Sequence, residues 1–465
     1  MPPERPRATG TGQVPPRLNT HVTPSDKDLF VPTEKYFAAL TRFRDAVIPR
    51  RWQHALMTPR GLLVGFLVVH VGFLVFALIV SLQGNAFSDT NIYRDWAAAG
   101  FDEANLPSGP SPWVYPVLAQ IPMAVAYAFG PGPFFFLWVL IITVLDALAM
   151  GKLTDWGRNR AALPAGWWWL LFILLMGWLG FARVDGLTAP IVLIGLVYGV
   201  SRPFAASAVL SVATWIKVWP AAVVLALLSA ARRRGAVLLA GVLVTLGAVG
   251  VAAASGSVEK IADFATQQGD RGMQLEATFT TPWLWLSVLH IGDSHMYMNT
   301  DINSMQVDGP GSDVMSKLMQ PLLLLAALAV VWLILRGLHR GVNAGRLDRT
   351  ALFLAGSLTM VTAFIVFNKV GSPQFMVWLG PVIAVGLVHD WRVWRTPAVL
   401  AVLIGIATFL IYPLFYTALS HNNPFMAAVL TFRNALLVVL MWWSARRLHR
   451  LGSVPKEAPV ASPQG

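Results

Sequence analysis

Long apolar segments alternate with short polar segments from residue 61 onwards. Several of these segments reach about 18 residues, the length at which a helix can cross a hydrocarbon core of ~30 Å. The pattern therefore predicts an all-α polytopic membrane protein with about 12 transmembrane helices. The predicted spans are 61–82, 131–151, 163–182, 187–201, 204–217, 219–231, 235–254, 318–337, 350–367, 374–389, 396–416 and 425–445. The pair at 204–231 is too short to cross twice in a straight line and predicts a bent hairpin around Lys217–Pro220.

Composition supports the membrane assignment. Hydrophobic residues make up 56% of the chain and charged residues only 12%, with a mean hydropathy of +0.59. A soluble protein carries roughly 25% charged residues. A soluble enzyme, a nucleic-acid-binding protein and a disordered scaffold are therefore excluded as descriptions of the whole chain. The absence of cysteine also excludes a disulfide framework and a thiol nucleophile.

The net charge of +12 is explained by topology, without a nucleic-acid partner. With the N-terminal segment inside, 27 of the 35 Lys and Arg residues fall on the cytoplasmic side, as the positive-inside rule requires. We therefore expect a multi-pass protein of the inner (plasma) membrane with both termini cytoplasmic. The predicted domains are a basic cytosolic tail (1–60), a transmembrane domain (61–445) and a second cytosolic tail (446–465). The eight cations on the outer side are Arg94, Arg183, Lys217, Lys260, Arg271, Lys317, Lys369 and Arg433.

Two long outer loops, 83–130 and 255–317, contain most of the outer acidic residues. Segment 114–129 is expected to lie as an interfacial helix, because a crossing there would leave the cations of 152–160 outside. Most outer cations lie near span ends, and ionisable groups at membrane depth are costly and commonly functional. A carboxylate with several cations suits a lipid-linked phosphate. The alternative is that these cations bind no ligand, and that each long side chain simply extends its charged end to the membrane–water interface.

Several motifs carry a family resemblance. Asp89 directly follows the first span, Tyr93 comes one helical turn later, and WVYP occupies 113–116. Further motifs are ARVDGLTAPIVLI (182–194), WIKVWP (215–220) and FNKVGSPQFMVWL (367–379). Together they resemble polyprenyl-phosphate-sugar-dependent glycosyltransferases of the GT-C superfamily. The most similar group is glycosyltransferase family 87, which contains bacterial mannosyltransferases and arabinofuranosyltransferases of lipoglycan assembly.

The resemblance covers roughly residues 60–445, and FNKVGSPQF is also similar to a stretch of GPI mannosyltransferase I. It implies a GT-C-like fold with long outer loops. It also implies transfer of a sugar from a polyprenyl monophosphate to a lipid-linked or cell-envelope glycan. The sugar that we expect is mannose. One departure leaves the subfamily and the acceptor open. Many family members have Tyr-Pro-Pro where this chain has Tyr115-Pro116-Val117.

The resemblance implies that Asp89 is the catalytic base, and its place at the membrane edge agrees. The alternative role for Asp89 is to cap the helix that follows, and Asp95 and Asp102 are the alternative bases. The expected phosphate-binding residues are Lys369, Lys217, Arg271 and Arg183. The expected substrate-binding residues are Tyr93, Arg94, Tyr115, Gln274, Glu276, Gln374 and Asp185.

Three alternatives remain open. Arg183 and Asp185 could form an ion pair between two spans, and Gln374 could satisfy backbone groups at a helix break. The residues His290, His295, Asp293 and Asp301 have a spacing that a metal could use, although a polar loop gives the same pattern by chance. We predict no metal and no cofactor, and no glycine-rich nucleotide loop is recognised.

Two other functions compete with the expected glycosyltransferase. A transporter or lipid-linked sugar flippase would predict inverted repeats and charges near the membrane midplane. A non-catalytic membrane assembly factor would not need carboxylates and cations on one face. The expected partners are the polyprenyl-phosphate sugar donor, a glycolipid or glycan acceptor and the lipid bilayer.

Overall fold

The structure is a computed structural model of the 465-residue chain. It describes residues 37–39, 41–42, 45–47, 49–102, 106, 113–256, 258, 261, 272–300, 304–343, 345 and 347–453. The chain divides into two units, Met1–His54 and Ala55–Gly465. Most of the two predicted cytosolic tails falls outside the described residues, so their assignment stays a prediction.

Helices dominate the described chain. They are α1 (Arg50–Leu56), α2 (Pro59–Leu82), α3 (Thr90–Ala98), α4 (Gln120–Tyr127), α5 (Phe134–Leu153), α6 (Leu163–Met176), α7 (Trp178–Phe181), α8 (Val184–Tyr198), α9 (Pro203–Ile216), α10 (Pro220–Ala230), α11 (Arg234–Ala254), α12 (Thr281–Val288), α13 (Ser312–Asn343), α14 (Arg349–Val366), α15 (Leu379–His389), α16 (Trp391–Phe409), α17 (Tyr416–Ser420) and α18 (Pro424–Leu451). Turns of 3-10 helix cover Val117–Ala119, Arg160–Ala162, Gly199–Ser201, Thr278–Thr280 and Pro373–Trp378, and a π-helical turn covers Leu410–Leu414.

The all-α polytopic prediction is confirmed, because every predicted span coincides with helix. Within the described residues, eight helices are long and apolar enough to cross a membrane. The remaining predicted spans correspond to the shorter apolar helices α6, α9, α10 and α15. The predicted bend is also present, since α9 ends at Ile216 and α10 begins at Pro220. Proline fits this first position because the N–H that it lacks would have no partner inside the helix.

The helix ends fall into two groups. We call the end that carries residues 83–133 and 255–311 the loop end, and the end that carries 154–162 and 231–233 the opposite end. Contacts support the grouping: Arg183 meets Asp89 at the loop end, whereas Arg349 donates to the Ala230 carbonyl at the opposite end. The predicted interfacial segment is a short helix at the loop end, α4, preceded by a 3-10 turn.

Two central helices and one buried polar pair organise the interior. Helix α14 is buried along nearly its whole length and packs against α10, α13, α15 and α18. Helix α8 packs against α5, α9 and α15, so its first residues reach a central position at the loop end. A buried pair, His70 on α2 and Asp146 on α5, joins two spanning helices, with Nε2 and Oδ2 separated by 3.3 Å.

A small antiparallel sheet lies in the second long loop and was not predicted. Its strands are β1 (Met273–Gln274), β2 (His295–Asn299) and β3 (Ser304–Asp308), in the order β1-β3-β2. Met273 pairs with Val307, and His295 pairs with Asp308. Leu275 and Val307 are buried in a second apolar cluster with residues of 411–430. The sheet thereby fixes the backbone beside Gln274.

Candidate active site

Asp89 forms an ion pair with Arg183 at the loop end. Asp89 lies just before α3, but its side chain makes no capping hydrogen bond to that helix. The alternative that Asp89 serves as a helix cap is therefore wrong in this structure. Arg183 precedes the first residue of α8 and is held in extended backbone, which directs its guanidinium towards Asp89 and the hydroxyl of Tyr412, 3.4 Å away.

Asp185 forms a second, separate pair. Its Oδ2 lies 3.5 Å from Nζ of Lys217, and the indole N–H of Trp378 donates to Oδ1 at 2.7 Å. Asp185 is only 1% exposed, so these two partners stabilise a carboxylate that burial would otherwise penalise. The suggested ion pair between Arg183 and Asp185 is thus replaced by two crossed pairs. The reason is geometric: residues two apart at a helix start point in different directions.

Lys217 occupies the break between α9 and α10. Its Nζ lies 4.6 Å from the centroid of the Tyr115 ring, a cation–π contact. The Lys217 side chain keeps 20% exposure, so the ammonium can still meet a ligand. The bend predicted at Lys217–Pro220 therefore places a cation beside the acidic start of α8.

Two tyrosines connect the first long loop to these pairs. The hydroxyls of Tyr93 and Tyr115 lie 3.0 Å apart and share a hydrogen bond. The backbone N–H of Val184 donates to the Tyr93 hydroxyl at 3.4 Å. Burial raises the pKa of Tyr93 well above its ordinary value, so this phenol stays neutral. Arg94 does not join them, because it contacts the Gly84 carbonyl and Asp95.

A second cluster surrounds Glu276, which is buried with 1% exposure. Tyr416 donates a hydrogen bond to its carboxylate, and Arg433 on α18 donates to its backbone carbonyl. Burial raises the pKa of Glu276 above its ordinary value, and the hydrogen bond and the Arg433 charge oppose that rise. The ring of Tyr416 also packs edge-on against Tyr412. A chain of contacts therefore runs from Asp89 through Arg183 and the two tyrosines to Glu276.

Lys369 lies beside Gln274, on the segment that follows α14. The backbone N–H of Gln274 donates to the Lys369 carbonyl at 2.9 Å. The Gln274 side-chain carbonyl accepts hydrogen bonds from Gly371 N–H (3.1 Å) and the Ser372 hydroxyl (3.0 Å). Gln274 therefore holds the Lys369 segment in place, and Lys369 itself is 5% exposed.

Gly371 allows the close approach of these two segments. A Cβ at this position would lie 2.2 Å from the backbone nitrogen of Ala277, which no side chain can accommodate. Gln374 is half-buried on the 3-10 turn Pro373–Trp378 and takes part in none of these contacts. The motif FNKVGSPQF thus contributes mainly through its backbone fit against 274–277 and through Lys369.

Some predicted residues lie outside the described part of the chain. Arg271 is one of them, so its phosphate-binding role stays a prediction, and Asp301 is another. Among the described residues, no group of three or more His, Asp or Glu residues is placed to hold a metal ion. Within the described part of the suspected set, His295 Nδ1 lies 3.0 Å from the Asp293 carbonyl.

Sequence reasoning missed four residues of the site: Trp378, Tyr412, Tyr416 and Arg433. Arg433 carried a usable signal, because it is a charged residue inside a span. The aromatic residues carried none, since tyrosine and tryptophan are common near membrane interfaces. Their partners became visible only with the fold.

Part of the chain is similar to a known protein family. The family model for Glycosyltransferase family 87 matches residues 113–291. The resemblance to glycosyltransferase family 87 is thereby confirmed for this segment, and the protein is a membrane glycosyltransferase. The matched segment contains Tyr115, Arg183, Asp185, Lys217 and Glu276, whereas Asp89 and Lys369 lie outside it. The Asp89–Arg183 pair therefore joins the matched segment to the loop that precedes it.

No curated protein matches the chain. The solved structures include a similar chain, ArnT from Cupriavidus metallidurans bound to undecaprenyl phosphate, at 14% sequence identity and a TM-score of 0.41. The alignment covers 82% of this chain and 77% of ArnT.

Proposed function

We propose that this protein transfers a sugar from a polyprenyl monophosphate to a lipid-linked or cell-envelope glycan. The proposed sugar is mannose. The proposal places the reaction at the outer face of the inner membrane, with both termini in the cytoplasm. In this scheme 61–445 is the catalytic membrane domain, and 1–60 and 446–465 are cytosolic tails.

One observation carries the proposal: two carboxylate–cation pairs, Asp89 with Arg183 and Asp185 with Lys217, meet at the start of α8. A glycosyl transfer from a lipid phosphate needs a base for the acceptor hydroxyl and cations for the leaving phosphate. Both kinds of group are present here, next to apolar helices that can accommodate a polyprenyl chain. The family 87 match over 113–291 supports the same class of chemistry.

Asp89 is the proposed base, and its side chain is 32% exposed. In the proposed step the acceptor hydroxyl gives its proton to Asp89 while its oxygen bonds to the anomeric carbon. The bond from that carbon to the phosphate oxygen breaks, and polyprenyl phosphate leaves. The electron pair of the broken bond stays on the phosphate, where the negative charge grows.

Arg183 and Lys217 are the proposed stabilisers of that charge, together with Lys369. Arg183 is paired with Asp89, so a phosphate that binds Arg183 competes with the carboxylate. Donor binding would thus free Asp89 to accept a proton. This coupling makes the base available when the donor is in place.

The test is transfer of radiolabelled mannose from polyprenyl phosphate to a lipid extract of bacterial envelopes by the purified protein in proteoliposomes. We expect label in the acceptor fraction, and none when a nucleotide sugar replaces the lipid donor. Lys217→Ala should abolish most transfer. Lys317→Ala is the matched control, because Lys317 is an exposed loop-end cation outside both clusters, and it should behave as wild type.

Two results would contradict the proposal. Movement of the lipid-linked sugar across the bilayer without transfer would favour the flippase alternative. Equal loss of transfer in Lys217→Ala and Lys317→Ala would mean that the pairs at α8 are not the site.

A further inference from the structure

A basic cleft lies at the opposite end, separated from the proposed site by the length of α10. The start of α11, the end of α13 and the start of α14 surround it, and its volume is about 400 Å³. Its lining includes Arg232, Arg234, Leu335, Val342 and Arg349. The cleft thus combines apolar side chains with three arginines, and the glycosyltransferase proposal does not use them.

Three arginines give the cleft its charge. Arg234 donates to the Ser229 carbonyl at 3.1 Å, and Arg349 donates to the Ala230 carbonyl at 2.9 Å. These bonds anchor two guanidiniums on the α10–α11 turn, while Arg232 is exposed beside them. Within the described part of the chain, no carboxylate forms an ion pair with any of the three.

The nearest acid in the chain is turned away. Asp348 precedes Arg349, but its carboxylate accepts from the Ala351 N–H and faces His389 at 3.4 Å. The N-termini of α11 and α14 also meet at this cleft, and helix N-termini attract anions. Among the residues that the structure describes, the cleft arginines are therefore not neutralised by an ion pair.

Exposed apolar side chains beside the cleft indicate which class of anion it binds. Leu335 and Val342 on α13 are exposed at the cleft, and Leu238 and Leu239 are exposed on α11, one turn further along. Both helices are candidate membrane spans. An anion with acyl chains can place its phosphate among the arginines and its chains along these leucines. A soluble anion would gain only the first of these contacts.

We propose that this cleft binds the phosphate headgroup of an anionic phospholipid, which bridges α11 to α13 and α14. Guanidinium groups suit this role, because their planar fork donates two parallel hydrogen bonds to a phosphate. The bound lipid would stabilise the protein in membranes that contain anionic lipid. The inference is independent of the proposed sugar transfer.

The test measures binding of a short-chain fluorescent phosphatidylglycerol to the full-length protein in detergent. We expect roughly fivefold weaker binding for each arginine lost, and thus about 100-fold for the triple variant Arg232→Gln, Arg234→Gln, Arg349→Gln. The matched control neutralises three exposed cations elsewhere at the same end, with Arg158→Gln, Arg160→Gln and Arg392→Gln. This control should bind within a factor of two or so of wild type, since screening attenuates charges that are remote from the ligand.

Two further probes identify the source of the phosphate. Phosphatidylcholine should bind weakly, because its headgroup is neutral overall, and inorganic phosphate should not displace the fluorescent lipid at equal concentration. If the triple variant fails to fold, Arg232→Gln alone decides, since Arg232 is exposed, and a fivefold loss supports the site. The proposal is overturned by equal loss in the control triple, by unchanged binding in the Arg232 variant, or by displacement with inorganic phosphate.

Discussion

Asp89 has two roles in the site, because it is both the proposed base and the ion-pair partner of Arg183. The substitution Asp89→Asn separates them. Asparagine keeps the size of the side chain and an oxygen that can accept from the guanidinium, but it cannot accept the proton of the acceptor hydroxyl. The variant therefore removes the base while preserving most of the local geometry.

The two effects differ in magnitude. The side chains of Asp89 and Arg183 are 32% and 14% exposed, so loss of the ion pair should cost only about 0.5–1 kcal/mol of stability. Loss of a general base lowers the rate by roughly 10²–10⁴-fold, which corresponds to about 2.7–5.5 kcal/mol in the barrier. We therefore expect a folded protein whose turnover is reduced by at least 100-fold and whose donor binding is not weakened, because the neutral amide competes less with the donor phosphate for Arg183.

The assay is single-turnover transfer of labelled sugar at saturating donor, with thermal unfolding in detergent measured on the same samples. Asp95→Asn is the control, because Asp95 lies on the helix that directly follows Asp89 and its carboxylate pairs with Arg94, at 3.7 Å. It should retain transfer. Turnover of Asp89→Asn within tenfold of wild type would refute the assignment of the base, and so would an equal loss in Asp95→Asn.

Four further predictions follow from the structure and the charge pattern. Lys369→Ala should lower turnover at least tenfold while weakening donor binding less, because the phosphate charge grows during transfer. Full activity of this variant at saturating donor would remove Lys369 from the site. Gly371→Ala should lower the unfolding free energy by about 1–3 kcal/mol through the clash with residues 276–277, whereas Gly72→Ala, in open space, should not lower it; equal melting temperatures would contradict the close approach. The thermal stability of wild type should fall as pH rises above 4.5, because burial raises the pKa of Glu276 and the folded chain then binds the proton more tightly than the unfolded chain. Glu276→Gln should make the melting temperature less dependent on pH. Identical pH profiles of the melting temperature in wild type and variant would exclude Glu276 as the cause. A reporter fused after Gly465 should be active only in its cytoplasmic form, and activity on the outer side would reverse the proposed topology.

The helices were largely determined by the sequence itself. Long apolar segments must satisfy their backbone hydrogen bonds internally in a bilayer, and a helix does this within one segment. The bounds of α2 and α11 lie within two residues of the predicted spans. The break at Lys217–Pro220 was also predictable, because a proline following a half-length apolar run favours a new helix start.

The contacts of the site were decided by tertiary structure. Arg183 and Asp185 are neighbours in sequence, and that proximity suggested a mutual pair. In the fold the start of α8 directs one towards Asp89 and the other towards Lys217. No local pattern encodes that choice, because the partners lie on other helices and loops.

The second cluster depended even more on long-range packing. The sheet of 273–308 consists of short strands with a mixed burial pattern, which gives little periodicity in sequence. Only its packing against 411–430 brings Glu276 to Tyr416 and Arg433. The sequence thus determined which residue types reach the loop end, while the positions of the partners were fixed by the way in which helices distant in the chain bury their apolar faces together.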